Sequence, residues 1–475
     1  MYPLPIPSLP FRNGRLPGRA GGSQPSCRAA QPADSPGMTR ALGLVLLLVM
    51  VSTSGCSAVN FNPFTYTPAP LPQITNTSTP RLTPTNIPTS TPTPIPAEIA
   101  KTLTIWVLPD FNLNESSPAN DLLKDRLYSF TRLYPGVQVQ VRVKAGSGPG
   151  NMLDSLATAG AAAPLALPSL VLLGRADLET AAVKGLIYQL SKSTGEIDQA
   201  DWYSYARQLA SVQGSIYGLP FAGDALALVY RPSRSGGIPA DWQTILQLGQ
   251  VVIFPAADPS AVVAMGMYQS AGGNVEDAQH RPILQAEPLT QVYKLFSDGT
   301  QRNIFPYWIT GYESGQQVWQ GYREQKAHIA ITWASLYLSA LPADSAVRPL
   351  PPIGSASLTP ATGWMWAVAD PLPERREMAI RLAEFLVAPD FLAKWTQLSG
   401  YLPTRPSAMA QWQNQSLQNI FSQVLLSAQA RPANDLIFSV GPILKEGTVK
   451  VIQRESDPLK AAQAAAERLA IPTSR

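Results

Sequence analysis

The stretch "LTIWVLPDF" (residues 103–111) decides the fold class, because it begins an alternation of strand and helix patterns. Its aliphatic residues stand at every second position, a period typical of a β-strand. In the next segment, "SPANDLLKDRLYSFTRLYPG" (117–136), Leu123, Leu127, Phe130 and Leu133 recur at helical spacing. "VQVQVRV" (137–143) then predicts a second strand. Strand, helix and strand in this order favour a parallel sheet with helices on its faces.

The same alternation continues toward the carboxyl terminus. Further strands are predicted in "SLVLLG" (169–174), "ALALVYRP" (225–232), "QVVIFP" (250–255), "AHIAITWA" (327–334) and "WMWAVAD" (364–370). Helices are predicted over 151–159, 177–184, 290–296 and 376–387, and from 411 onward. We therefore expect an α/β protein. Its length after residue 100 is too great for one hydrophobic core, so two lobes are expected.

The composition excludes several classes of function. The chain has 475 residues with 36 basic and 32 acidic side chains, and no Lys/Arg cluster of the kind that binds phosphates, so we expect no nucleic-acid partner. Its only histidines are His280 and His328, and both cysteines, Cys27 and Cys56, precede the predicted folded region. Metal sites and His-dependent nucleophilic catalysis thus lack ligands and bases, and we expect no metal, no cofactor and no enzyme activity.

The amino-terminal segment has the build of an exported protein. Residues 1–37 are rich in Pro, Gly and Ser and read as a non-native or disordered extension, with Met38 as the true start. Residues 38–55 follow the pattern of a signal peptide: a basic start, an apolar run and small residues. Cys56 comes next and resembles the lipidated Cys of a bacterial lipobox, although Thr53 stands where that motif usually has Leu. Ordinary cleavage beside an incidental Cys is the alternative.

A linker is predicted over residues 56–100. Most of it is a Pro- and Thr-rich tract whose only charge between 62 and 97 is Arg81. Such a tract cannot bury enough apolar surface to fold, and its prolines favour an extended polyproline geometry. We expect a semi-rigid stalk between a membrane anchor and the lobes.

Several stretches together resemble the extracellular solute-binding proteins of ABC importers, in the group whose best-known members bind sugars. They occur in that family's order, from residue 103 to about 408: "LTIWVLPDF" (103–111), "FTRLYPGVQVQVRV" (130–143), "SLVLLGRADLETAAVKGLIYQL" (169–190), "GSIYGLPFAGDALALVYRP" (214–232), "IPADWQTIL" (238–246), "YREQKAHIAITWASLY" (322–337), "ATGWMWAVA" (361–369) and "LSGYLPTRPSA" (398–408).

The resemblance implies a two-lobed, periplasmic-binding-protein-like (type II) fold with hinge strands between the lobes. Lobe 1 would be residues 101–222 and 331–361, and lobe 2 residues 223–330 and 362–475. The protein would be a monomer on the outer face of the cell membrane, held there by lipid on Cys56. It would capture a small solute, a sugar or oligosaccharide, and deliver it to the transmembrane subunits of an ABC permease.

Polar candidates for ligand binding follow from the same resemblance. Asp110, Asn112, Arg175 and Asp224 lie at strand ends or lobe crossings, where the family places its ligand contacts. Sugar hydroxyls need carboxylate, amide or guanidinium partners, because an unpaired buried hydroxyl is costly. The alternative for the two aspartates is helix capping or turn formation, and for Arg175 a surface ion pair.

The aromatic candidates are Phe111, Trp333, Trp364 and Trp366. Aromatic rings suit the apolar C–H faces of a sugar. Trp364 and Trp366 share one face of a strand, so one of them is expected at the cleft mouth. The alternative is that both pack in a core.

Two other functions stay open from the sequence. One is a carbohydrate-active hydrolase, which would need a pair of carboxylates flanking the sugar bond. The other is a surface sensor or binding module on the same fold that takes no part in transport.

Overall fold

The computed structural model describes residues 101–470, apart from 191–194, 196, 198–199 and 355–356. The predicted extension (1–37), signal peptide (38–55), Cys56 and the whole linker (56–100) lie outside the described residues. Within the described part, no helix has the length and apolar character needed to cross a membrane.

The strands form a mixed sheet in the order β2-β1-β3-β10-β6-β8-β7, with β11 beside β10, β9 beside β6, and a separate β4–β5 hairpin. Their bounds are β1 (Thr102–Val107), β2 (Gln138–Val143), β3 (Leu170–Gly174), β4 (Ser211–Val212), β5 (Ser215–Ile216), β6 (Gly218–Tyr230), β7 (Val252–Ile253), β8 (Ile329–Trp333), β9 (Ala346–Arg348), β10 (Thr359–Val368) and β11 (Ala428–Ala430).

Helices cover the sheet and its connections. They are α1 (Pro118–Leu133), α2 (Met152–Ala162), α3 (Arg175–Val183), α4 (Ser204–Ala210), α5 (Trp242–Leu248), α6 (Val262–Ser270), α7 (Ala286–Gln301), α8 (Gly315–Arg323), α9 (Ala334–Ala340), α10 (Pro373–Leu386), α11 (Pro389–Ser399), α12 (Pro406–Met409), α13 (Gln415–Leu426), α14 (Asn434–Ile452) and α15 (Pro458–Ala470). Short 3-10 helices span Pro109–Phe111, Pro164–Ala166 and Tyr307–Gly311.

The predicted crossover unit at the start of the fold is confirmed. β1 and β2 pair in parallel over their whole length, and α1 connects them. The Ser117 hydroxyl caps α1 by accepting a hydrogen bond from the Asn120 amide at 3.1 Å. Leu123 and Phe130 are buried on the inner face of α1, whereas Leu133 in the last turn is 62% exposed. The helical spacing therefore predicted the buried face of α1 correctly, except at Leu133.

β6 and β10 are long strands that join two parts of the sheet. The first part of β6, Gly218 to Ala225, pairs with β10, and its last part, Leu226 to Tyr230, pairs with β8 and β9. β10 pairs with β3 near its end and with β11 near its start. We call the part with β1, β2 and β3 the first sheet half, and the part with β7, β8 and β9 the second sheet half.

The sheet halves, defined here by strand pairing, divide the chain at other residues than the predicted lobes, whose boundaries stay a prediction. Residues 331–361 were predicted in lobe 1, yet β9 and most of β8 join the second sheet half. Residues 362–475 were predicted in lobe 2, yet the end of β10 joins the first sheet half, and α10 and α11 pack on α1. The reason is that the sheet a strand joins depends on distant partners, which a local pattern does not reveal.

The helices divide in the same way between the sheet halves. α3 packs on β3 and β10, and α4 packs on β6 and β10. On the other side, α14 packs on α6, α7 and α15, and α7 reaches the second sheet half through Phe296, which stacks on Phe254 beyond β7. The middle of β6 and β10 therefore lies between these two groups of helices.

Candidate functional site

The candidate site surrounds the middle of β6 and β10. Asp110 follows the carboxyl end of β1, Arg175 follows β3, and Trp333 ends β8. In open α/β sheets, ligands bind outside the carboxyl ends of the strands. The fold therefore brings together most of the residues that the sequence singled out, and the contacts of each side chain determine which of them are free to meet a ligand.

An aromatic surface lies at this point. The Trp364 ring, on β10, lies 4.8 Å from the ring of Tyr401 in centroid distance, and both residues are half-buried. Phe111 lies beneath them at 5.7 Å from Trp364 and 5.5 Å from Tyr401, and it is only 1% exposed. Trp364 and Tyr401 can therefore offer ring faces to a ligand, whereas Phe111 supports them from below.

Trp366 lies in the core. It is 1% exposed and packs on Phe221 with ring centroids 5.3 Å apart. Although Trp366 is two residues from Trp364 on the same strand, its indole lies deeper in the first sheet half. We therefore leave Trp366 out of the candidate site and keep Trp364.

The loop after β1 contributes the exposed carboxylate of Asp110. Asp110 lies exposed in the 3-10 turn that follows β1. Asn112 is engaged locally: its amide donates to Glu115 at 3.1 Å, and its side-chain oxygen accepts from the Asn114 amide at 3.0 Å. These bonds are turn chemistry, so Asp110 is the better ligand candidate of the two.

Asp224 is buried in the middle of β6, where this strand passes from the first sheet half to the second, and it anchors a neighbouring helix. Its carboxylate accepts hydrogen bonds from the Ser335 amide at 3.1 Å, the Ser335 hydroxyl at 2.5 Å and the Ala225 amide at 2.9 Å. Burial raises the pKa of Asp224 to about 7, although these hydrogen bonds favour the charged form. Because Ser335 lies in the first turn of α9, Asp224 ties that helix to β6.

Tyr401 was not among the residues predicted from sequence. Its neighbour Leu402 pairs with Gly223 of β6 through two backbone hydrogen bonds of 2.8 Å, which place the Tyr401 ring beside Trp364. Burial, with the nearby charges of Asp110 and Asp224, raises the pKa of Tyr401. Its hydroxyl therefore stays protonated and can donate a hydrogen bond. The stretch "LSGYLPTRPSA" was the available signal, but nothing local indicated where the ring points.

The Tyr205 ring lies so close to the backbone of β6 that residue 223 must be glycine. A Cβ atom at position 223 would lie 2.0 Å from the Tyr205 hydroxyl and 3.1 Å from the Leu402 carbonyl oxygen. The Tyr205 hydroxyl is fully buried and finds no hydrogen-bond partner among the described residues. Only glycine fits between β6 and this ring.

Trp333 flanks the site on the second sheet half. It is half-buried, pairs with Leu226 of β6, and immediately precedes α9. The backbone of Gly315 approaches the Trp333 indole so closely that a Cβ there would lie 2.8 Å from Cδ1. Trp333 therefore remains a candidate contact from the side opposite Trp364.

Arg175 is held by the protein itself. One guanidinium nitrogen donates to the carbonyl oxygens of Leu209 at 3.0 Å and Ser211 at 2.6 Å, and another lies 3.8 Å from Glu179. Burial lowers the pKa of Arg175, while Glu179 opposes that shift. These contacts give Arg175 a structural role that the sequence did not reveal.

A cavity of about 820 Å³ adjoins Arg175. Its walls come from both parts of the fold, with Glu179 and Val183 on α3, and Gln269 and Leu436 from α6 and α14. Small-molecule sites commonly measure about 300–1,000 Å³. The described residues include no group of three or more His, Cys, Asp or Glu side chains that could hold a metal ion.

A family model described as "Bacterial extracellular solute-binding protein" matches residues 128–419 of the chain, which is more than half of its length. No curated protein matches the sequence significantly.

Solved structures with the same fold include the sugar-binding protein MalE of Xanthomonas citri, at 16% identity and TM-score 0.64, covering 78% of this chain and 96% of that one. Maltose-bound MalE of Listeria monocytogenes matches at 15% identity and TM-score 0.64, covering 78% and 97%. Maltose-bound MalE3 of T. maritima matches at 17% identity and TM-score 0.61, covering 78% and 99%.

Proposed function

The chain belongs to the family of bacterial extracellular solute-binding proteins, and from that premise we propose that it captures a sugar or oligosaccharide for an ABC importer. Membership in this extracellular family indicates that the protein acts outside the cytoplasm. The observation that carries the proposal is the half-buried pair Trp364 and Tyr401, with the exposed carboxylate of Asp110 near it.

The chemistry of this surface suits a sugar. A pyranose ring offers an apolar C–H face, which an indole or phenol ring can cover, and hydroxyl groups that need partners at its edge. Asp110 can accept hydrogen bonds and the Tyr401 hydroxyl can both donate and accept them. Because Arg175 is held by backbone carbonyls and Glu179, the site has little to attract an anion. An uncharged, hydroxyl-rich solute is therefore favoured.

The structural neighbours agree with this choice. The Listeria monocytogenes and T. maritima proteins have maltose bound, and the Xanthomonas citri protein is named a sugar-binding protein. These neighbours share the fold of this chain and support a sugar as the class of solute.

Capture would proceed by hinge motion about β6 and β10. In this proposal the two sheet halves, each with its helices, are the two lobes, and their closure buries the solute between Trp364 and Tyr401 on one side and Trp333 on the other. A hinge of continuous strands lets each lobe move as a packed unit. The lobe boundaries in this proposal follow the strand pairing rather than the sequence motifs.

The amino-terminal region would tether the protein. We propose that residues 38–55 direct export, that lipid on Cys56 anchors the chain, and that the linker to residue 100 lets the lobes reach the permease. Sequence alone supports this part. Mass spectrometry of the mature amino terminus tests it: a lipid-modified Cys56 is expected, and a free terminus at another residue contradicts the anchor.

The proposed role is binding without turnover. Glycoside hydrolysis needs two carboxyl groups flanking the scissile bond. At this site Asp110 is exposed, but Asp224 is buried and engaged by Ser335 and Ala225. Incubation with maltose and maltotetraose should leave both sugars intact, as followed by chromatography.

A thermal-shift screen across sugars tests the proposed function. A ligand that binds only the folded protein raises its melting temperature by mass action. We expect at least one mono- or oligosaccharide to raise it in a saturable way. A peptide or polyamine that does so while no carbohydrate does would overturn the sugar assignment.

A further inference from the structure

We propose that Glu179 is a positioning residue that latches the amino terminus of α14 to α3, and so holds the two sheet halves in the arrangement seen here. The inference rests on the proposed function in one respect, namely that the two halves move relative to each other as a solute binds. Its evidence is a set of polar contacts beside the 820 Å³ cavity.

The central contact joins Glu179 to the first residue of α14. The Asn434 amide donates to both carboxylate oxygens of Glu179 at 3.1 Å each, and the Asn434 side-chain amide donates to the Ala176 carbonyl oxygen at 2.8 Å. The residue before α14, Ala433, offers no side-chain cap. Glu179 therefore supplies from another helix the acceptor that a capping Ser or Asp supplies within its own chain segment.

The charge of Glu179 suits this place. The amino end of a helix carries a partial positive charge from its free amides, which favours a carboxylate there. Arg175, one turn earlier on α3, lies 3.8 Å from Glu179 and is itself fixed by the Leu209 and Ser211 carbonyls. The Glu179 side chain is only 15% exposed. The Glu179 carboxylate is thus held between Arg175 and the Asn434 amide, and little solvent screens its charge.

The latch connects two helices, α3 and α14, that pack mainly on different elements. α3 belongs to the first sheet half through β3 and β10, whereas α14 packs on α6, α7 and α15 of the second. A second contact lies in the same region: the Ala430 amide, on β11, donates to the Gln208 side chain of α4 at 3.0 Å. A rotation that separates α3 from α14 must break the bonds of Glu179.

Glu179 would therefore bias the equilibrium between arrangements of the two halves. A contact present in one arrangement and absent in the other shifts the population by its own free energy. Removing it should release the start of α14 and broaden the distribution of shapes of the sugar-free protein, without changing the aromatic surface at Trp364.

The test uses the full chain without sugar. Glu179→Ala is compared with the wild type by hydrogen exchange and small-angle X-ray scattering, with Glu287→Ala as the matched control, since Glu287 is exposed and contacts Gln291 of its own helix. We expect amides at the start of α14 to exchange roughly tenfold faster in Glu179→Ala, with β6 and β10 unchanged and the radius of gyration increased. Glu287→Ala should match the wild type.

Rescue separates the latch from a general loss of stability. Glu179→Gln keeps one acceptor oxygen and should restore much of the protection of α14, and it also serves if Glu179→Ala fails to fold. Unchanged exchange at α14 and an unchanged scattering profile in Glu179→Ala would overturn the latch. Because no sugar is present, a chain that binds no sugar could still show the latch, so the two proposals fail independently.

Discussion

The rings of Trp364 and Tyr401 lie 4.8 Å apart, with their planes inclined at 58°. One residue belongs to the crossing strand β10 and the other to the segment after α11, so the fold rather than the local sequence makes them neighbours. The pairing of Leu402 with Gly223 fixes the second ring against the first. This relationship creates the half-buried aromatic surface on which the proposed binding of sugar depends.

Trp364→Ala should abolish sugar binding while leaving the protein folded. Trp364 is half-buried, so its loss removes a ring face from the site and only part of a core contact. The melting shift caused by the best sugar of the thermal-shift screen should disappear in this variant. A full shift would show that the sugar binds elsewhere.

Trp366→Ala is the matched control, with the opposite outcome. Trp366 is 1% exposed, and truncating a buried Trp costs about 3–5 kcal/mol of folding free energy. Urea unfolding should show that loss, and below the transition the variant should still bind the sugar. Equal stability of the two variants would contradict the assignment of Trp366 to the core.

Gly223→Ala should destabilise the protein, and Tyr205→Phe should partly rescue it. The new methyl group would collide with the Tyr205 hydroxyl, whose removal relieves the closest contact but leaves the ring carbon at 3.1 Å. Tyr205→Phe alone should be nearly neutral, because the hydroxyl has no partner among the described residues. The unfolding free energies of the wild type, the two single variants and the double variant form a double-mutant cycle. Strict additivity would contradict the proposed contact.

Asp224 should make stability depend on pH. Its pKa of about 7 in the folded state lies above the ordinary value of 3.8, so the folded state binds the proton more tightly. This contribution to stability is complete below about pH 4 and is lost as the pH rises to about 7, a loss on the order of 4 kcal/mol. Wild type and Asp224→Asn are compared by urea unfolding at pH 4.5 and pH 8. The variant should lose less stability over that interval, and identical losses would refute the assignment.

Substitutions of Asp110 and Arg175 should have different effects: the first should weaken sugar binding, and the second should lower the stability of the fold. Asp110 is exposed and near Tyr401, so Asp110→Asn should weaken sugar binding by about 1–3 kcal/mol with no change in melting temperature. Arg175→Ala leaves the Leu209 and Ser211 carbonyls without their donor and should lower stability by a similar amount. The pattern would be contradicted if Asp110→Asn destabilised the fold and Arg175→Ala only weakened binding.

Much of the fold could be predicted because its signals are local. The β1–α1–β2 unit is a direct reading of periods of two and 3.6 residues, and the predicted α/β fold class is confirmed. The lobe boundaries depended on which distant strand β10 meets, and no local pattern carries that information. For the same reason the start of β10 at Thr359 lay five residues before the predicted strand.

Part of the candidate site could be named from the sequence, and its role in binding stays a prediction. Asp110 and Trp364 could be named as candidates because strand ends and aromatic pairs can be read from the sequence. Trp364 and Trp366 could not be told apart, since both stand on one face of the same strand and only packing distinguishes them. Tyr401 was missed because its place depends on a backbone pairing between residues 223 and 402.

Isothermal titration calorimetry of the full chain tests the central claim most directly. Maltose and maltotetraose head the sugar series, and a short peptide and a polyamine serve as controls. The account predicts saturable binding of at least one carbohydrate, lost in Trp364→Ala, and no binding of the peptide or the polyamine. Binding of either control without any carbohydrate, or equal carbohydrate affinity in wild type and Trp364→Ala, would contradict it.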